Sequence, residues 1–224
     1  MGCDLVNVEG TTAQGNTHNS FKTMFTFPEI ATPSQNFINL PAILNPSSST
    51  PWRDTYSGTD QAEQFYVQPP VRNSKFDRPD KTARVNAGGG DDIIEGSDSR
   101  NGDVLFGQRG DDLIQGHGGN DVIDGGAGSD RISGGRGADI VWMSGGFDVF
   151  RDFNGQERDR ISLHRAKGKV YLTEIGDDTY ITPENFDGVM RVEGGNGSEV
   201  YNAVMGVATD QLVAVNFSPA LLLD

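Results

Sequence analysis

One cysteine, three histidines and no long apolar run remove much familiar chemistry from this chain before any motif is sought. Cys3 alone forms no intramolecular disulfide framework, so an extracellular life would need a different staple. No histidine stands in H-E-x-x-H and no G-x-S-x-G elbow exists, which removes the zinc-protease and serine-hydrolase signatures. No stretch approaches the roughly 18 apolar residues of a transmembrane helix. The N-terminus has no basic segment leading into an apolar one, so a classical signal peptide is not expected. Val6 stands where a myristoylation motif wants Ser or Thr, so Met1-Gly2-Cys3 reads as no lipid anchor. Basic charge is scarce as well: 18 Lys and Arg face 32 Asp and Glu, a net charge of −14. Nucleic acid and anionic membranes are repelled by that sign, and cations are its natural counterpart. Hydrophobic residues make up 35%, below the roughly 45–50% (counted with Gly) of ordinary soluble domains. Something besides apolar burial must hold the fold.

What the chain does have is 30 glycines and a strict period. From Ala87 the sequence reads in nines: AGGGDDIIE, then after the two extra residues Gly96-Ser97, DSRNGDVLF, GQRGDDLIQ, GHGGNDVID, GGAGSDRIS, GGRGADIVW and MSGGFDVFR. An aspartate returns at the sixth place, as Asp92, Asp103, Asp112, Asp121, Asp130, Asp139 and Asp148, with a large apolar residue two places later. The first six places need glycine because a tight turn uses positive φ and brings backbones close. The last three make a strand too short for a sheet of its own, its middle residue pointing inward. Ile94, Leu105, Ile114, Ile123, Ile132, Val141 and Phe150 are therefore the predicted core, one residue per repeat. Collagen would need a period of three, a dinucleotide fold a helix after the glycines, and an EF-hand a glutamate at place twelve; none is present.

This G-G-x-G-x-D-x-U-x pattern resembles the calcium-binding repeats-in-toxin (RTX) family. Asp152-Phe153, a short loop and Asp159-Arg160-Ile161-Ser162-Leu163 are similar to the closing segment of the serralysin C-terminal domain and of alginate-epimerase R-modules. The resemblance implies an all-β fold, a right-handed parallel β-roll in which two nonapeptides make one coil. It also implies Ca2+ between successive turns of one stack, held by sixth-place aspartates and by carbonyls of the glycine turns. Carried over by position, the pairs are Asp92/Asp112, Asp112/Asp130 and Asp130/Asp148 on one side, and Asp103/Asp121, Asp121/Asp139 and Asp139/Asp159 on the other, up to about six ions. The implied carbonyl positions are Gly88, Gly90, Gly110, Gly119, Gly126, Gly128, Gly135 and Gly137. Calcium suits such a set, being a hard cation that takes six to eight oxygens in tolerant geometry. Magnesium holds its waters too firmly, and zinc or copper would want imidazole or thiolate, of which only His18, His117, His164 and Cys3 exist. Without the ion, carboxylates about 5 Å apart repel by roughly 3 kcal/mol at an effective dielectric of 20.

Three domains are expected: residues 1–83 an extended Pro/Ser/Thr-rich docking arm, 84–164 the roll, and 165–224 a β-strand cap. The arm holds eight of the ten prolines together with Phe21, Phe25, Phe27, Phe37, Leu40 and Trp52. In the cap, apolar and polar residues alternate over Val170–Ile175, Asp178–Thr182, Val189–Val192 and Gln211–Phe217. On the even repeats, Val104, Val122 and Ile140 beside Phe106, Asp124 and Trp142 predict an exposed ladder for the arm or a protein partner. The functional expectation is a non-enzymatic, calcium-stabilised extracellular module with a structural or adhesive role. The alternatives are a virion or surface-appendage subunit docked through its arm, and an accessory polysaccharide-binding or export module of a secreted enzyme.

Overall fold

Short strands bounded by glycine turns leave one arrangement that pairs every backbone group: each strand beside the one a full coil away. The computed structural model describes residues 53–67 and 82–216 and shows that arrangement. One sheet takes Arg53–Ser57, Thr82–Gly89, Val104–Arg109, Val122–Ala127, Ile140–Trp142, Arg160–Ser162 and Val204–Met205 in that order, all parallel. The other takes Gln64–Tyr66, Ile93–Glu95, Leu113–Gln115, Arg131–Ser133, Gly146–Phe150 and then Gly188–Val192, also parallel. The chain is a parallel β-roll.

Register puts the predicted core in two facing columns. Val85, Leu105, Ile123, Val141 and Ile161 line up in the first sheet. Phe65, Ile94, Ile114, Ile132, Phe150 and Val192 line up in the second. All are fully buried except Phe65, which is nearly so. With one core residue per half-coil, each truncation leaves a void that its neighbours cannot fill. Ile114→Ala is therefore expected to cost about 2–5 kcal/mol, read as a lowered urea midpoint in saturating calcium.

The roll begins earlier than expected. Residues 53–67, assigned from sequence to the arm, form a complete coil at its N-terminal end. The reason lies in Gly58-Thr59-Asp60-Gln61-Ala62-Glu63-Gln64-Phe65-Tyr66, a nonapeptide with Glu at place six and Phe at place eight. The remainder of the proposed arm, residues 1–52 and most of 68–83, lies outside the described residues.

The even-repeat face is also different from the bare ladder expected. Val104, Val122 and Ile140 do align, as do Phe106, Asp124 and Trp142. However, Arg84 lies over the Phe106 ring at 5.0 Å, and Arg165 lies over Trp142 at 5.6 Å. Arg165 also donates to both oxygens of Asp124, at 3.2 and 2.6 Å. His164 adds an edge contact to Trp142, 4.5 Å between centroids. The chain's own cations occupy the aromatic faces that a partner would need, because guanidinium groups are attracted to ring quadrupoles.

Beyond residue 165 the alternating segments form strands. Val170–Ile175 and Asp178–Pro183 form an antiparallel hairpin, and the latter pairs antiparallel with Gly188–Val192 to prolong the second sheet. Leu212–Val215 adds the far edge. A seven-residue helix, Gly197–Ala203, starts at Asn196, whose side chain accepts the Glu199 N–H at 3.0 Å. Asp152 fastens the last coil by accepting the N–H groups of Gly134 and Gly135, both at 2.9 Å, and the Ser133 hydroxyl. Among the described residues no helix is long and apolar enough to cross a membrane.

Candidate metal centre

The turns stack on two sides of the roll. One side carries the turns at 58–63, 87–92, 107–112, 125–130 and 143–148; the other carries those at 96–103, 116–121, 134–139 and 152–159. Within each stack the sixth-place carboxylates form a ladder. Oδ1 of Asp112 accepts the Asp92 N–H at 2.8 Å, Asp130 that of Asp112 at 2.9 Å, and Asp148 that of Asp130 at 3.1 Å. On the opposite side Asp121 accepts from Asp103 at 2.6 Å, Asp139 from Asp121 at 2.8 Å, and Asp159 from Asp139 at 3.0 Å. Every pair named from the sequence is thus brought together, and all eight aspartates are buried.

The ladder uses only one oxygen of each carboxylate. Oδ2 of Asp92, Asp112, Asp121, Asp130 and Asp139 is buried and has no hydrogen-bond partner. A buried charged oxygen without a partner is costly, so these five define what the turns require. Their surroundings say what kind of ligand fits. A Cβ built on Gly107 would lie 2.0 Å from Asp112 Oδ2 and 2.5 Å from the Gly125 carbonyl oxygen. One built on Gly116 would lie 2.2 Å from Asp121 Oδ2 and 2.5 Å from the Gly134 carbonyl oxygen. Gly107 and Gly116 therefore each keep open a space between consecutive turns into which a carboxylate and a backbone carbonyl converge. The lining is hard oxygen, as calcium requires. Among the described residues no three His, Cys, Asp or Glu side chains converge, so an ion there must draw on backbone carbonyls, a poor set for zinc.

Burial pushes seven of the ladder carboxyls up. Asp112, Asp139, Asp148 and Asp159 rise to about 6, Asp92 to about 7, and Asp121 and Asp130 to about 8. Desolvation is the main cause throughout, and neighbouring carboxylates add to it at Asp92, Asp121 and Asp130. Backbone N–H donors in the ladder oppose the rise but do not cancel it. A divalent cation in the turns would supply the charge balance that a proton supplies otherwise.

The eight glycines expected to offer carbonyls all have positive φ, between 94° and 139°. Gly126 illustrates why no other residue fits: its φ is 108° and an added Cβ would meet the Gln108 carbonyl oxygen at 2.0 Å. Three features escaped the sequence reading. Glu63 takes the sixth-place role in the first coil, its N–H donating to Asp92 Oδ1 at 2.7 Å. The first-place glycines shape the space at Oδ2. A second, exposed ladder runs through place five, where Asp91 accepts the Asp111 N–H at 2.9 Å and Asp111 accepts the Ser129 N–H at 2.7 Å. The doubled Asp91-Asp92 and Asp111-Asp112 were its signal.

Residues 99–132 and 119–150 match the RTX calcium-binding nonapeptide repeat family profile of four copies. No curated protein matches the chain. Among solved structures, the AlgE6R3 subunit of the Azotobacter vinelandii mannuronan C5-epimerase is similar at 21% identity, over 69% of this chain and 94% of that one, with a TM-score of 0.38. The AlgE6R2 subunit of the same enzyme is similar at 16% identity, over 75% and 96%, also with a TM-score of 0.38. Residues 99–150 of the roll thus match RTX calcium-binding nonapeptide repeats.

Proposed function

We propose that this chain is a non-enzymatic module whose roll folds on Ca2+ and then serves outside the cell as a structural or adhesive element. The observation that carries the reading is the set of five buried, unpartnered Oδ2 atoms. Leaving a buried acceptor unsatisfied costs about 1–3 kcal/mol, and more when it is charged. Asp92, Asp112, Asp121, Asp130 and Asp139 would hold the ions, with Asp103, Asp148 and Asp159 continuing the ladder and the glycine turns offering carbonyls. When bound, calcium supplies the positive charge that lets these carboxylates stay ionised in the interior. The chain's own part is to line the oxygens up, to leave room at the first-place glycines, and to exclude competing donors.

An extracellular setting is supported by the usual occurrence of RTX repeats in extracellular proteins. It also suits a domain without a disulfide framework, which can be unfolded where calcium is scarce and fixed where it is plentiful. Titrating Ca2+ into the metal-stripped full chain should raise the β-sheet circular dichroism with a midpoint of about 10⁻⁴–10⁻³ M, the range of extracellular calcium modules. Mg2+ at the same concentrations should produce little change, and Asp121→Ala should move the midpoint several-fold upward. A spectrum identical in calcium and in chelator would overturn the reading.

A further inference from the structure

The nine acidic sixth-place residues are not equivalent. Five leave an oxygen unpartnered, and four do not. In the first coil, Glu63 accepts the Thr59 N–H and the Thr59 hydroxyl, both at 2.8 Å, one on each carboxylate oxygen. Asp103 Oδ2 accepts the Ser97 N–H at 2.6 Å and the Ser97 hydroxyl at 2.9 Å. Asp148 Oδ2 accepts the Ser144 hydroxyl at 2.7 Å, and Asp159 Oδ2 accepts the Asn154 N–H at 2.8 Å.

Their positions follow a rule. Along one side the order is Glu63, Asp92, Asp112, Asp130, Asp148; along the other it is Asp103, Asp121, Asp139, Asp159. The four self-satisfied residues are the first and last of each series. The sequence departs from the nonapeptide at these same turns: Glu replaces Asp at 63, Gly96-Ser97 is inserted before 98, Met143-Ser144 replaces a glycine pair, and a loop runs from 152 to 159. Each of these turns brings its own donor to the second oxygen: Thr59, Ser97, the Ser144 hydroxyl and the Asn154 N–H. The series end where the next residue in register carries no carboxylate: Ala83 donates its N–H to Asp103 Oδ1 at 2.7 Å, and Met190 stands beside Asp148. An internal donor there does what a bridging ion does between two turns.

We propose that Glu63, Asp103, Asp148 and Asp159, the end members of the two series, satisfy their second carboxylate oxygen from their own turn and claim no ion with it, and that the free Oδ2 atoms of the five acids between them carry the whole calcium requirement. This rests on the calcium reading above and makes it specific. The ion count is five, not six, and the pair that drops out is Asp103/Asp121, whose Asp103 Oδ2 is committed to Ser97. Asp148 and Asp159 contribute Oδ1 to the ladder but make no demand of their own for an ion.

Native mass spectrometry of the full chain across a calcium titration tests this. Five ions should bind at saturation. Asp103→Asn and Asp148→Asn should retain five, whereas Asp121→Asn and Asp130→Asn should each lose at least one. Six ions in the unaltered chain, or a loss at Asp103→Asn equal to that at Asp121→Asn, would overturn the proposal while leaving calcium binding intact. No bound calcium at all would overturn the functional reading itself. Because a carboxylate change can prevent folding, the double variant Ser97→Ala/Ser144→Ala gives a second test that keeps every acid in place. It should fold at saturating calcium with its midpoint raised about twofold, since two hydrogen bonds independent of the ion are lost and the deficit is shared among five ions. An unchanged midpoint would show that these hydroxyls do not close the terminal turns.

Discussion

Metal-stripped protein should gain sheet structure when the pH is lowered from about 8 to about 5, the reverse of ordinary acid denaturation. The cause is the set of ladder carboxyls pushed up to between about 6 and about 8 by burial. In the unfolded chain the same groups titrate near 3.8. Below that value both states hold the proton and ionisation costs the fold nothing. Between there and about 8 the folded state keeps protons that the unfolded chain has released, so stability falls as pH rises, by about 1.4 kcal/mol per group for each unit of pH until that group's folded value is passed. At pH 8 the full cost of ionisation is in place, and only a cation can offset it. Calcium should act with the opposite slope, since it needs the carboxylates that protons occupy, and its midpoint should rise as pH is lowered. Far-UV circular dichroism of dialysed, chelating-resin-treated protein checks both. A pH near 5 stays above the isoelectric point of about 4.5, where precipitation would obscure the signal. A metal-free protein fully folded at pH 8 would contradict the account.

Gly107→Ala should be among the most damaging single changes in the chain. The position carries no unusual φ, so the substitution is tolerable to the backbone; what it lacks is room. The new methyl would lie 2.0 Å from Asp112 Oδ2 and 2.5 Å from the Gly125 carbonyl oxygen, inside the space where these converge. Neither neighbour yields cheaply, since one is fixed in the ladder and the other is backbone. Folding is expected to require at least severalfold more calcium, with one ion fewer at saturation. Gly176→Ala is the control, because its φ of 65° is left-handed but nothing lies within 4 Å of the added carbon. It should cost only the left-handed strain, about 1–2 kcal/mol, and leave the ion count unchanged. Equal effects at the two positions would mean that the turn glycines matter for chain flexibility alone.

The parts of this structure that were legible in the sequence are those set by a strict period. Apolar residues at place eight became the two core columns, from Ile94 to Phe150, because a three-residue strand has only one inward position. The place-six aspartates fell into the expected pairs because coils of 18 or 20 residues align them. What escaped depends on the reach of individual side chains. Glu63 was missed because one extra methylene breaks the letter pattern while still placing a carboxylate against Gly58, whose added Cβ would lie 2.2 Å from Glu63 Oε2. Ser97 lies in a two-residue insertion and Ser144 stands where the repeat has glycine, and only their hydrogen bonds show what they contribute. The ion pairs Arg109–Asp60 and Arg136–Asp98, at 2.6 and 3.1 Å, each span two coils. No local pattern links residues so distant, and both pairs are exposed enough to add little stability. The helix Gly197–Ala203 was hidden because Gly194-Gly195-Asn196-Gly197 reads as a turn, although Asn196 is a good N-cap.

The 18-residue step from Leu105 to Ile123, and from Ile114 to Ile132, gives the central part of the roll a quantised length. Evolution, or a designer, can shorten or extend that part by 18 residues and still hand each remaining strand a partner in the same register, as in other arrays with nearest-neighbour coupling. Nine residues would not serve: every later segment would cross to the opposite wall, and the two termini would be joined to the wrong halves of the cylinder.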